Sequence, residues 1–210
     1  MSNSSAALRE PWHKLPDQKQ AATFGIWVFL GSEILFFGAF FLAYTFLRVL
    51  HPEAFELASK HTNVIFGTVN TAILLTSSLT MVLAARAADI DVKNAVLVCL
   101  GLTAALGLAF LVVKGFEYKE DIEEHLVPGR GFALPPAAQL FWSFYWIVTV
   151  VHATHLTIGI VATARLTIDV TRDKLPLRSP QYEVTALYWH LVDIIWIVLY
   201  PLIYLVGRAQ

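Results

Sequence analysis

The stretch Phe29–Phe41, which reads FLGSEILFFGAFF, places one carboxylic acid among twelve residues that suit a helix in lipid or in a packed interior. The acid is Glu33. A charge at such a depth is costly, so intramembrane acids are rare and face a bundle interior or a polar partner. The fold and the role of Glu33 therefore depend on what surrounds this stretch along the chain.

The composition is that of an integral membrane protein. Of the 210 residues, 57% are hydrophobic and only 15% are charged, against roughly 25% charged in soluble domains. The formal net charge of −1 gives no basic field for nucleic acid, so we expect no nucleic-acid partner. A single cysteine, Cys99, excludes a disulfide framework within the chain.

Five apolar segments approach the roughly 20 residues that a membrane span requires. They cover about 23–48, 63–86, 94–116, 137–165 and 184–206. Backbone polar groups in lipid must be bonded within the segment, which predicts helices. The predicted fold is all-α, an integral membrane bundle of five transmembrane helices. We expect a polar N-terminal segment, 1–22, followed by a single five-helix membrane domain, 23–210.

The distribution of Lys and Arg predicts the orientation. Nine of these residues fall on the side of the N-terminus and six on the opposite side. Because cytoplasmic loops carry the excess of positive charge, the N-terminus is predicted to lie in the cytoplasm and the C-terminus outside it.

Three histidines lie inside the predicted spans. His152 and His155 share a helix face at i, i+3 spacing, and His190 and Asp193 repeat that spacing on the fifth span. Such residues could hold haem or a metal ion, or they could form a hydrogen-bonded network that positions the helices. The spacing alone leaves both interpretations open.

Glu33 likewise has two interpretations: a stop on a proton path or a structural anchor. Its apolar neighbours disfavour the charged form, so we expect it to be neutral or paired with His152, His155 or His190. An aromatic stripe follows on the same helix, and it is predicted to contact lipid or a partner. Its members are Phe36, Phe37, Phe40 and Tyr44.

Several stretches together resemble subunit III of the haem-copper oxidases, the cytochrome c oxidase subunit III family, from Phe24 to Gly207. The carrying stretches are SEILFF at 32–37, NTAILLTSS at 70–78, FEY at 116–118, VHATHLTIG at 151–159 and YWHLVDIIW at 188–196. The family usually has glycine before and between the two histidines of the fourth helix, where this chain has Val151, Ala153 and Thr154.

The resemblance implies a non-catalytic subunit in the short, five-helix bacterial form. It implies no catalytic residue, metal ligand or cofactor in this chain, with haem and copper held by partner subunits. The implied partners are catalytic subunit I, other oxidase subunits and bound phospholipid. The implied location is the bacterial inner membrane, with a periplasmic C-terminus. The implied role is to support assembly, stability and proton uptake of the catalytic subunit during reduction of oxygen to water.

Under this resemblance the buried polar residues become a structural network, with His190 bonded to Asp193 or Glu33. The predicted members are Asn70, Glu117, His152, His155, Glu183, Trp189, His190 and Asp193. Two alternatives remain at this point. One is the small membrane subunit that accompanies nitric-oxide reductases, to which the ending 196–205 is also similar. The other is an independent b-type haem electron carrier.

Overall fold

The computed structural model describes residues 15–177 and 179–208, which form helices joined by short connections. The helices are α1 Leu15–Leu50, α2 Pro52–Lys60, α3 Val64–Asp89, α4 Lys93–Glu123, α5 Gln139–Thr171 and α6 Gln181–Tyr200. A 3₁₀ turn, Pro136–Ala138, leads into α5. A π-helical turn, Pro201–Leu205, and a 3₁₀ turn, Val206–Arg208, follow α6.

The prediction of an all-α fold with five transmembrane helices is confirmed. The helical segments built on α1, α3, α4, α5 and α6 are long and apolar enough to cross a membrane. Most of the predicted polar segment 1–22 lies outside the described residues, as does Arg178 in the last predicted cytoplasmic connection.

Helix α1 begins earlier than the predicted span. Its 36 residues would extend about 54 Å at 1.5 Å per residue, well beyond the roughly 30 Å of the hydrocarbon core. Pro16 lies in the first turn, where proline is tolerated, and no later residue before Leu50 is a proline. The polar first turns, with Asp17 and Lys19, therefore continue the same helix beyond the apolar stretch.

Two predicted connections also contain helix. Helix α2 forms within 49–62 because its Phe55 and Ala58 are fully buried under one end of the bundle. Helix α4 continues from its predicted end at 116 to Glu123. The acidic residues predicted for a loop thus lie on a helix, and two of them, Glu117 and Asp121, face the interior.

Helices α3, α4, α5 and α6 pack as a bundle, and glycines allow their closest approaches. A Cβ at Gly67 of α3 would lie 2.9 Å from the Tyr200 ring, and one at Gly107 of α4 would lie 2.8 Å from the Trp189 ring. Thr80 of α3 and Thr103 of α4 are joined by a 2.7 Å hydrogen bond. Small residues on α3 and α4 therefore let these helices approach their neighbours closely.

The chain end closes against α2. A Cβ at Gly207 would lie 2.7 Å from the Glu56 carbonyl oxygen. Arg208 donates from Nη2 to the carbonyl oxygens of Thr62, at 2.6 Å, and Lys60, at 3.1 Å. The C-terminal turn and α2 therefore cover the same end of the bundle.

Candidate functional site

Glu33 is paired with a histidine from another helix. Its Oε2 lies 3.0 Å from Nε2 of His155 on α5, and the two side chains are 16% and 18% exposed. His155 Nδ1 lies 2.9 Å from the Val151 carbonyl oxygen, which can only accept, so Nδ1 is the donor there. Of the three histidines predicted as possible partners of Glu33, His155 is the one that bonds to it.

The Glu33–His155 contact requires one proton between its two atoms. Either a charged imidazole donates to the carboxylate, or the neutral carboxyl group donates to Nε2. In both cases the hydrogen bond joins α1 to α5. Tyr188 of α6 donates to the His155 carbonyl oxygen at 2.9 Å, so α6 borders the same site.

The aromatic stripe is divided between interior and surface. Phe37 and Tyr44 are 1% and 0% exposed, and the Tyr44 hydroxyl donates to the Leu202 carbonyl oxygen. Phe40 is half-buried, whereas Phe36 is 45% exposed. The predicted contact with lipid or a partner is therefore open to Phe36 and Phe40, but the packing of this chain leaves no such surface on Phe37 and Tyr44.

Helices α3 and α6 are joined by a row of side-chain hydrogen bonds. Trp189 Nε1 donates to Ser77 Oγ at 3.1 Å, and Trp196 Nε1 donates to Thr71 Oγ1 at 3.1 Å. His190 Nδ1 lies 2.8 Å from Ser78 Oγ. The prediction that His190 bonds to Asp193 or Glu33 is thus wrong, because its ring reaches α3 instead.

Three predicted network residues are buried without a direct partner. No side-chain polar atom of Asn70, His152 or Asp193 makes a hydrogen bond of good geometry within the described residues. The Ser78 hydroxyl of α3 is bonded to His190. His152 is enclosed by the rings of Phe110 and Trp196, at centroid distances of 5.7 and 5.1 Å.

Glu183 lies outside any interior network. It is exposed in the first turn of α6, where an acid complements the helix dipole. Its predicted place among buried residues is therefore wrong.

A buried ionic cluster lies at one end of α4, and of its members only Glu117 was predicted to belong to an interior network. Lys114, 1% exposed, lies 3.0 Å from Glu117 Oε2. Its Nζ also donates to the hydroxyls of Tyr204, at 2.8 Å, and Tyr145, at 3.1 Å. The Tyr204 hydroxyl donates to Glu117 Oε1 at 2.6 Å, and the Tyr145 hydroxyl lies 2.6 Å from Asp121 Oδ2.

We call Lys114, Glu117, Asp121, Tyr145 and Tyr204 the Lys114 cluster. It joins α4 to α5 and to the turn after α6, and aromatic rings surround its ammonium group at 4.6–5.6 Å. The sequence signal was present, because positions 114, 117 and 121 share one helix face. The predicted span 94–116 contains Lys114 but ends before Glu117, which separates the lysine from the two acids.

The histidines and acids do not assemble into a metal centre in the part of the chain that the structure describes. No group of three or more His, Cys, Asp or Glu residues there could hold a metal ion. What the polar residues do provide is interhelical bonding: Glu33–His155 for α1, the serine–threonine row for α3 and α6, and the Lys114 cluster for α4 and α5.

Comparisons with known proteins agree with this architecture. The family model described as cytochrome c oxidase subunit III matches residues 12–208. Cytochrome c oxidase subunit 3 of Alkalihalophilus pseudofirmus is 32% identical over 204 residues, 92% of this chain and 94% of that protein. Quinol oxidase subunit 3 of Bacillus subtilis is 30% identical over 190 residues, 87% of this chain and 86% of that protein.

A longer relative also matches. The haem-copper oxidase subunit I+III of Aeropyrum pernix is 34% identical over 201 residues, which are 91% of this chain. This chain spans only 23% of the length of that protein.

Proposed function

Because this chain belongs to the cytochrome c oxidase subunit III family, we propose that it acts as the non-catalytic subunit III of a haem-copper terminal oxidase. The observation that carries the proposal is the family match over residues 12–208. Relatives named as subunit 3 of cytochrome c and of quinol oxidases support it over almost their whole length. The electron donor of the complex can therefore be of either kind.

The proposed main partner is the catalytic subunit I. The name of the Aeropyrum pernix relative joins subunits I and III in one protein, which supports a direct association between their counterparts here. Helix α1 offers a broad apolar surface for such a contact or for phospholipid, since Trp27, Leu35 and Phe46 are 59%, 77% and 65% exposed.

Haem and copper are proposed to lie in partner subunits. Two of the three histidines in the spans already have other partners, because His155 bonds to Glu33 and His190 to Ser78. His152 is enclosed by aromatic rings. These contacts favour the subunit over the b-type haem carrier as the function of this chain.

The proposed role is to support assembly, stability and proton uptake of the catalytic subunit in aerobic respiration. Glu33–His155 suits the first two tasks, because it fixes α1, the most exposed span, to the bundle. The proposed location is the bacterial inner membrane, with the N-terminus in the cytoplasm and the C-terminus in the periplasm.

Affinity purification of the tagged chain in mild detergent tests the proposal. We expect a haem-containing catalytic subunit to copurify and the complex to consume oxygen with cytochrome c or a quinol as donor. A chain that purifies as a stable monomer without any haem protein would refute the association. A complex that consumes nitric oxide but no oxygen would establish the nitric-oxide reductase alternative, which the oxidase names of the relatives disfavour.

A further inference from the structure

Asp193 lies inside the bundle between two tryptophans of its own helix. It follows Trp189 by four residues and precedes Trp196 by three, so the three side chains share one face of α6. The two tryptophans are about 10 Å apart along α6 at 1.5 Å per residue. The Trp189 ring packs over Gly159 of α5, and the Trp196 ring lies 4.8 Å from the Phe110 ring of α4. Asp193, 2% exposed, therefore faces the centre of the bundle.

Asn70 and His152 face the same interior. Asn70 belongs to the buried stripe of α3 and is the neighbour of Thr71, which accepts from Trp196 Nε1 at 3.1 Å. The His152 and Trp196 rings are 5.1 Å apart between their centroids. Asn70 and His152 are both 0% exposed. Three buried polar side chains, one each from α3, α5 and α6, thus lie around Trp196 or within one helical turn of it.

These three side chains carry six polar atoms that have no hydrogen-bond partner among the described residues. The atoms are both carboxyl oxygens of Asp193, both terminal atoms of the Asn70 amide and both ring nitrogens of His152. Buried polar atoms are rarely unpaired in native proteins, and those without a protein partner commonly bind internal water. Six such atoms around one tryptophan therefore indicate a small polar ligand.

The chemistry of the six atoms favours water over a metal ion. The Asn70 amide offers two hydrogens to donate and one oxygen that accepts, and a neutral ring at His152 offers one donor and one acceptor. A cation would bind the oxygens of Asn70 and Asp193, but the amide hydrogens would repel it. Water molecules both donate and accept, so a few of them satisfy both kinds of atom.

The carboxyl group of Asp193 has no cation bonded to it in the described chain, and an isolated charge in such an interior is costly. The other titratable groups on the packed helices have their own partners. His155 bonds to Glu33, and Lys114 lies 3.0 Å from Glu117. The buried stripe of α3 in the described chain contains no titratable residue. The neutral acid therefore holds a proton that can exchange with water bound beside it.

A route for this exchange leads from the interior to the surface. A pocket of about 390 Å³ opens between the start of α1, the end of α3 and the start of α6, and His190 lies in its wall. His190 Nδ1 lies 2.8 Å from Ser78 Oγ. Ser78 follows Ser77, to which Trp189 donates. Asp193 is one helical turn beyond His190 on α6. An imidazole and a hydroxyl, which both donate and accept, thus stand between the pocket and the buried acid.

We infer that Asp193, Asn70 and His152 bind internal water and hold a proton that exchanges with the surface through Ser78 and His190. The inference goes beyond the proposed function, because the site belongs to the interior of this chain and does not depend on which complex the chain joins. It is also distinct from the hydrogen bond that joins α1 to α5.

Infrared spectroscopy of the full chain, with the subunits that copurify in mild detergent, tests the site. We expect the carbonyl band of a neutral carboxylic acid that shifts to lower frequency in D₂O and disappears in Asp193→Asn. Asn70→Leu, which keeps the acid, should shift the same band, so the assignment does not depend on one variant. Bands of internal water, identified by their shift in water labelled with heavy oxygen, should weaken in both variants.

The rate of deuterium exchange at Asp193 tests the route. His190→Phe keeps a ring in the pocket wall but removes the polar link, so exchange should slow about tenfold or more, because it then requires local opening of the bundle. Ser78→Ala should slow exchange as well. Glu183→Gln is the matched control, since Glu183 is an exposed residue of the same pocket and the exchange rate should not change.

An ionised carboxylate at Asp193, or internal-water bands that are unchanged in both Asp193→Asn and Asn70→Leu, would overturn the inference. Exchange that is equally fast in the His190→Phe and unsubstituted proteins would overturn it too, because the proton would then not pass His190. Subunit occupancy and oxygen consumption of the same samples score the proposed function, so its failure is distinguished from failure of the water site.

Discussion

The Glu33–His155 hydrogen bond joins the most exposed span to the bundle, together with the bond from the Tyr44 hydroxyl to Leu202. Glu33→Gln can still donate from its amide group to the neutral His155 ring, so we expect near-normal subunit assembly and turnover. Glu33→Ala leaves His155 Nε2 without a partner, which we expect to cost roughly 1–3 kcal/mol and to lower the amount of chain retained by the catalytic subunit. Subunit occupancy after purification measures both effects.

Ser32→Ala is the matched control for these variants, because Ser32 bonds only to Phe29 within its own helix and is exposed. Measuring proton uptake by the complex distinguishes the two possible roles of Glu33, structural anchor and proton relay. A Gln variant with full occupancy and clearly slower proton uptake would show that Glu33 relays protons rather than only anchoring α1.

At Lys114, removal of the charge should be severe. Lys114→Met leaves Glu117, 1% exposed, without its cation in a dry setting, and loss of one partner of a buried pair typically costs about 3–5 kcal/mol. We expect poor accumulation in the membrane and a lower apparent Tm in detergent. Adding Glu117→Gln to Lys114→Met should restore part of the loss, since no charge of that pair then remains.

The control for the Lys114 variant lies on the same helix. Lys119 pairs with Glu123 at 3.7 Å, with side chains 72% and 67% exposed, so Lys119→Met should cost no more than about 1 kcal/mol. Equal stability of the Lys114→Met and Lys119→Met proteins would contradict the role of the buried cluster.

The sequence indicated which polar residues lie deep in the spans, but it did not determine their partners. A histidine at position 190 can bond to Asp193 on its own helix or to Ser78 on α3. It bonds to Ser78 because α3 packs against α6, and the sequence alone does not show this packing. Glu33 had three histidine candidates for the same reason. Lys114 lies inside the predicted span 94–116, but Glu117 and Asp121 lie beyond its end, because a hydropathy pattern ends a span where charges accumulate even when they neutralise one another.

At the scale of elements, the five spans followed from apolar length because lipid forces backbone groups to bond within each segment. The pattern of apolar segments does not predict the additional helix α2. Helix α2 has only 9 residues, and its burial depends on Tyr44 and Phe141, whose rings lie 5.4 and 5.6 Å from Phe55. Such contacts between distant segments have no local periodicity.

The approach of α4 to α5 and α6 depends on Gly107. A methyl group there would lie 2.8 Å from the Trp189 ring and 2.9 Å from Ile160, so Gly107→Ala should cost about 1–3 kcal/mol through overpacking. Gly101→Ala on the same helix meets nothing within 4 Å and should be neutral or slightly stabilising. Apparent Tm values in detergent compare the two, and equal values would show that α4 can shift without cost.

At the scale of the whole molecule, the buried position of Lys114 sharpens the predicted orientation. Removing it from the six cations on the side opposite the N-terminus leaves five, against nine on the N-terminal side. We expect a cytoplasmic N-terminus and a periplasmic C-terminus. Alkaline phosphatase fused after Gln210 should be active and a fluorescent protein that folds only in the cytoplasm should be dark; the reverse result would invert the topology.

The Lys114 cluster also has a consequence for biogenesis. Helix α4 leaves the ribosome before Tyr145 and Tyr204 have been synthesised, yet its lysine and two acids cannot enter lipid separately at low cost. The Lys114–Glu117 pair lies within α4, so it can neutralise most of this charge on the helix itself, but Asp121 depends on Tyr145 of the next span. Helix α4 is therefore expected to remain beside the translocon until α5 emerges, and the two helices enter the bilayer as one hairpin.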